Sequence, residues 1–96
     1  MKKHMKKITW FYMQGCPYCR NGEKAFAEIL TEHPEYKDIP IQKVDERKEV
    51  AFADAHDYYY VPTLYLNEEK AYECSPQDGF NDIKQHFKEV LAKAFE

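Results

Sequence analysis

The sequence predicts an α/β domain with the element order βαβαββα, a mixed four-stranded sheet flanked by three helices. Three observations carry this. Ile8-Thr9-Trp10-Phe11-Tyr12-Met13 is an apolar, aromatic run suited to a buried strand, and residues from Phe80 to Phe95 repeat apolar positions at helical spacing. Between them, short apolar runs and helix-compatible stretches alternate, separated by turn residues. With 96 residues, 44% hydrophobic and 16% aromatic, the chain suits one core, and a single domain over residues 1–96 is expected.

Each element follows from local chemistry. The first strand gives way at Gln14-Gly15 to a helix through Arg20 to Leu30, and His33-Pro34 opens a charged loop to Asp38. Ile39 to Val44 reads as the second strand. Asp45 suits an N-cap, with a second helix from Glu46 to about Asp57 that carries Val50, Phe52, Ala53 and Ala55. Val61-Pro62-Thr63 opens a third strand through Leu66, Asn67-Glu68-Glu69 turns the chain, and Lys70 to Glu73 returns as an antiparallel edge strand. Ser75-Pro76-Gln77-Asp78 reads as a capping box that starts the last helix. Its core stripe is Phe80, Ile83, Phe87, Val90, Leu91, Ala94 and Phe95.

Charge and cysteine content narrow the function classes. The net charge of −3 arises from 14 basic and 17 acidic residues of interspersed sign, which argues against a nucleic-acid or membrane footprint. The basic stretch Met1 to Lys7 reads as a solvated flank, since the apolar run behind it is too short for a signal peptide. No apolar run approaches the roughly 20 residues of a membrane span. Three cysteines cannot all pair, so they read as chemistry rather than as a secreted disulfide framework, and a monomer in a reducing cytoplasm is expected.

That chemistry centres on Cys16-Pro17-Tyr18-Cys19, two thiols at the start of a helix. The thiolate is the nucleophile in disulfide exchange, and an ordinary thiol is only slightly ionised at neutral pH. Backbone N–H groups and the positive dipole end at a helix start favour a thiolate at Cys16, and Pro17 suits the first helical position. Cys16 is therefore the expected nucleophile. Cys19, one turn later, is the expected resolving thiol that attacks the mixed disulfide. Tyr18 could offer its hydroxyl to a substrate or simply cover the helix start. Arg20 could add positive field or be a solvated helix residue. The competing reading of C-x-x-C is half a zinc site, but the second half would need Cys74 plus one of the scattered His4, His33, His56 or His86. No metal is expected.

C-P-Y-C after a strand, followed by Val-Pro-Thr opening a later one, resembles the dithiol glutaredoxins of the thioredoxin-fold superfamily over nearly the whole chain. The resemblance implies a thiol-disulfide oxidoreductase that reduces protein or glutathione mixed disulfides. It needs no bound cofactor and has glutathione as co-substrate. It also implies a cis Pro62 beside the thiols, with the Val61 backbone pairing with an extended substrate. Ser75 and Asp78 would hold the γ-glutamyl end of glutathione. The chain departs from that pattern at Met13-Gln14-Gly15, where a lysine is usual, at Tyr60, where threonine is usual, and at Tyr72-Glu73, where Gly-Gly is usual. These departures make a thioredoxin-like reductant, fed by a thioredoxin-reductase-type enzyme, the main alternative. An iron-sulfur carrier that binds a cluster through Cys16 and glutathione is weaker, because Pro17 stiffens the loop and Cys19 invites disulfide closure.

Two further features stand out. Cys74 falls just before the expected helix start, which makes it either a regulatory thiol or a partly buried bystander. Tyr58-Tyr59-Tyr60 could line a substrate groove, with packing against the sheet expected for at least two of the three rings.

Overall fold

A computed structural model describes residues 5–96, so Met1 to His4 of the basic flank lie outside the described residues. The elements are β1 (Ile8–Tyr12), α1 (Pro17–Glu32), a 3-10 turn (Pro34–Asp38), β2 (Ile41–Asp45), α2 (Val50–Asp54), β3 (Thr63–Leu66), β4 (Glu69–Glu73) and α3 (Phe80–Phe95). The sheet order is β2-β1-β3-β4. β1 runs parallel to β2, with Ile8 opposite Ile41, and antiparallel to β3, with Phe11 opposite Thr63. β3 and β4 are antiparallel. The predicted fold class, a mixed four-stranded sheet with three helices, is the observed one.

Alternation along β1 divides the core in two. Ile8 and Trp10 face α1 and α3, where they join Ile29, Leu64, Ile83, Phe87 and Leu91. Phe11 points to the other face, where Val44, Ala53 and Tyr65 pack with Cys16, Cys19 and Val61. The dithiol thus grows out of the smaller of these two clusters. The predicted α3 stripe is buried at Ile83, Phe87, Val90, Leu91 and Ala94, while Phe80 and Phe95 at its ends are half-buried.

Two helices start later than the sequence suggested, for one physical reason. A short polar side chain that accepts a nearby backbone N–H can cap a helix or close an isolated turn. Asp45 does the second. It remains in β2 opposite Tyr12, and its carboxylate accepts the Arg47 N–H at 3.0 Å, while its carbonyl takes the N–H groups of Lys48 and Glu49. That turn occupies the residues expected to begin α2. Ser75 likewise is not the N-cap of α3. Asp78 returns its carboxylate to the Ser75 N–H at 3.1 Å and donates its own N–H to the Ser75 carbonyl at 2.9 Å, closing a separate turn. The helix is capped at Gly79, whose N–H donates to Asp82 at 2.9 Å.

Candidate active site

Gly15, at φ 82°, adopts the left-handed conformation that ends β1 and turns the chain into α1. Cys16 follows as the N-cap in extended conformation (φ −85°, ψ 125°), and its carbonyl accepts the first helical bond from Arg20 at 3.0 Å. No side chain caps this end and no acidic residue lies in the first turn. The N–H groups of the first turn and the positive dipole end of a 16-residue helix therefore lie at the Cys16 position. All three cysteines are free thiols.

Cys19 sits one turn deeper. The two residues are almost equally buried, at 8% and 5% exposure, so position along the helix separates them more than burial does. Burial pushes the Cys19 thiol up to about 12. A backbone hydrogen bond at Met13 pulls the other way, and a side-chain hydrogen bond to Cys16 adds to the rise. Cys19 therefore keeps its proton at neutral pH.

This has a consequence for stability. With a folded value of about 12 against an ordinary 9.0, the neutral Cys19 thiol stabilises the fold fully below pH 9.0, and that contribution is lost as pH rises toward 12. The Cys16–Cys19 disulfide form carries no such proton. Urea melts should show the reduced protein losing stability relative to the oxidised protein as pH rises above about 9. Parallel pH profiles for the two forms would contradict the Cys19 environment described.

The thiols open into a cleft of about 500 Å³ whose walls include Tyr12, Met13, Arg20, Glu23 and Lys43. Glu23 and Lys43 form an ion pair across it, with the Lys43 ammonium 4.7 Å from the Trp10 ring centroid. Sequence reasoning missed this pair. Glu23 could have been found four residues after Cys19, on the same helix face, whereas Lys43 reaches the site only through its register opposite Trp10.

Outside that cleft, the loop before β3 forms a separate wall packed against the dithiol. The Val61-Pro62 bond is cis, as the resemblance implied. Val61 packs in the same cluster as Cys16 and Cys19, and the Pro62 carbonyl accepts the Cys74 N–H at 3.0 Å. Gly22 lets α1 approach this wall, since a Cβ there would lie 3.4 Å from Pro62 and 3.1 Å from Phe87. The Tyr18 hydroxyl donates to the Pro76 carbonyl at 2.9 Å, tying the dithiol loop to the segment before α3. Its proton is therefore not directed to the cleft.

Several expectations change. Cys74 is only 2% exposed and lies on no helix start, because α3 begins at Phe80; burial pushes its thiol up, partly offset by the neighbouring Tyr72 hydroxyl. Only Tyr58 of the tyrosine triplet packs inward, 4.8 Å from Phe11, while Tyr59 and Tyr60 are exposed. Tyr72 does not cover open backbone. It turns into the core, stacks 4.5 Å from His86 and donates its hydroxyl to Asp78 at 2.6 Å. Glu73 is also engaged. Burial works to raise its carboxyl, but Lys70 and the N–H groups of Tyr59 and Tyr60 outweigh that and hold it below the usual carboxylate range.

Among the described residues, no cluster of three or more His, Cys, Asp or Glu side chains could hold a metal ion, and no helix is long and apolar enough to cross a membrane.

The sequence model of one protein family, described as Thioredoxin, matches residues 1–93. No curated protein matches the sequence. Among solved structures, an N21Q mutant thioredoxin from Halobacterium salinarum NRC-1 superposes with a TM-score of 0.63 at 23% identity, covering 97% of this chain and 77% of that one. Oxidised thioredoxin O1 from Arabidopsis thaliana gives 0.61 at 18% identity, with 97% and 80% covered. Fasciola hepatica thioredoxin gives 0.55 at 21% identity, with 96% and 83% covered. At these identities the likeness is one of fold.

Proposed function

The chain belongs to the thioredoxin family, and from that premise we propose that it is a thiol-disulfide oxidoreductase that reduces protein disulfides and receives its electrons from a reductase-type protein. The observation that carries the reading is the pairing of Cys16 at an uncapped helix start with a protonated Cys19 behind it. The Cys16 thiolate attacks a substrate disulfide, forming a mixed disulfide and releasing one substrate sulfur, which takes up a proton. Cys19 then loses its proton and attacks the Cys16 sulfur. The Cys16–Cys19 disulfide forms, and the second substrate sulfur leaves and is protonated. Two electrons and two protons pass to the substrate, and the reductase returns them.

The choice of donor rests on Asp78. Its carboxylate already accepts the Tyr72 hydroxyl and the Ser75 N–H, and its own N–H is bonded to the Ser75 carbonyl. Ser75 and Asp78, from which glutathione binding was expected, thus satisfy one another, and displacing such bonds costs a ligand affinity. The glutaredoxin-like reading, with glutathione as co-substrate, retains the support of the C-P-Y-C sequence itself.

Equilibrating the protein in a glutathione redox buffer and identifying adducts by mass spectrometry separates the two. A reductase-fed protein should show a Cys16–Cys19 disulfide, no glutathione adduct and a potential near roughly −270 mV. Glutathione on Cys16 and a potential of roughly −200 to −230 mV would favour the glutaredoxin-like reading.

A further inference from the structure

The cleft at the dithiol holds charge that the exchange reaction leaves unused. Three of its lining side chains are charged: Arg20, Glu23 and Lys43. Two of these cancel. The Lys43 ammonium pairs with the Glu23 carboxylate and lies over the rings of Trp10 and Tyr12, 4.7 and 5.0 Å from their centroids. Arg20 has no such counterion. Among the described residues no carboxylate pairs with its guanidinium, and the first turn of α1 holds no acidic residue. In a chain of net charge −3, the cleft that opens onto the thiols therefore carries one uncompensated positive charge.

Its place decides what that charge meets. Arg20 directly follows Cys19 and is the fourth residue of α1, and long helical side chains lean toward the helix N-terminus. That lean carries the guanidinium toward the end where Cys16 sits, and the positive end of the helix dipole adds to it. A cleft with an excess of one sign of charge concentrates the opposite sign. A carboxylate held beside a substrate's disulfide would meet a planar fork of donors suited to it. An ammonium in the same place would be repelled.

We infer that Arg20 is a specificity-determining residue that binds an acidic group carried by the substrate next to its disulfide, and that the Glu23–Lys43 pair limits the cleft's excess to one positive charge. The inference rests on the oxidoreductase reading and deepens it by naming the substrate class, disulfides flanked by carboxylates. Such a carboxylate belongs either to an Asp or Glu beside a protein's cystine or to a small disulfide.

The test measures kcat/KM for dithiodipropionate, bis(2-hydroxyethyl) disulfide and cystamine, which are anionic, neutral and cationic, with dithiothreitol as the electron source at low ionic strength. Its readout is the ratio for dithiodipropionate to cystamine, compared between variants so that each disulfide's own reactivity cancels. Arg20→Ala should lower that ratio about fivefold, through KM, and Arg20→Lys should keep most of it. Glu23→Gln acts in the opposite direction, because it uncovers the Lys43 charge and should raise the ratio. High salt should shrink the ratio of the unaltered protein toward that of Arg20→Ala. Peptide cystines flanked by Glu or by Gln then assign the source of the carboxylate. An Arg20-dependent preference for the Glu peptide that exceeds the one among small disulfides points to protein substrates, and the reverse to small ones. An unchanged ratio in Arg20→Ala would overturn the inference, and so would a fall in Glu23→Gln. Both side chains are exposed on α1, so loss of folding does not enter either result. Failure of the underlying reading looks different: the unaltered protein would reduce none of the disulfides, or turnover would survive Cys16→Ser.

Discussion

Cys16→Ser should reduce turnover of a protein disulfide to the uncatalysed background, while Cys19→Ser should complete one attack and stop. The asymmetry follows from where the two sulfurs sit. Cys16 is the residue before α1, at a helix start that no side chain caps and whose first turn holds no acidic residue. A serine hydroxyl there is far too weak an acid to furnish an attacking anion at neutral pH. Cys19, whose thiol burial pushes up to about 12, is unsuited to the first attack but adjoins Cys16 and need attack only a sulfur already brought to it. Removing it should therefore leave the first step intact and let the mixed disulfide accumulate. Cys74 should not substitute for either, since it is buried and its thiol is also raised. Equal loss in both variants, with no accumulated intermediate, would contradict this division of labour.

Phe87→Ala should destabilise the fold by about 3–5 kcal/mol, a large part of the 5–15 kcal/mol typical of a small domain. Phe87 is 1% exposed and joins three parts of the molecule. Its ring meets Trp10 of β1 edge-on at 5.1 Å and Tyr72 of β4 at 6.1 Å, and it closes over Gly22 of α1. The cavity left by its removal would be bounded by the sheet on one side and by α1, with its own contact to Pro62, on another, so neighbours cannot readily collapse into it. Urea denaturation followed by the fluorescence of the single Trp10 measures the loss. A change below about 1 kcal/mol would mean the site relaxes freely, against the packing described.

The order of elements and the dithiol's place on a strand-to-helix turn were legible because they depend on local signals: apolar runs, turn residues, and a proline after Cys16. The starts of α2 and α3 were not. Asp45 and Ser75 make the kind of short side-chain-to-backbone bonds that also cap helices, and only tertiary partners, Tyr12 for Asp45 and Tyr72 for Asp78, decide that each closes a separate turn. Burial of the tyrosine triplet was misjudged for a similar reason. Nothing near Tyr59 in the sequence announces that Glu73, 14 residues away on β4, will take its N–H and keep the loop at the surface. The same holds for Tyr18, whose partner carbonyl at Pro76 lies 58 residues on. Cis geometry at Pro62 was available only through family resemblance, because X-Pro bonds are mostly trans and no local feature distinguishes this one. The position of the dithiol was thus readable, and the contacts that arrange it were not.

Because everything proposed depends on Cys16 as the attacking sulfur, the most direct measurement is to mix reduced Cys19→Ser protein with a disulfide-bonded protein, quench with acid, and locate the covalent link by peptide mass spectrometry. The structure predicts one substrate chain joined through Cys16. A link through Cys74, or no covalent species while disulfides are still reduced, would contradict it.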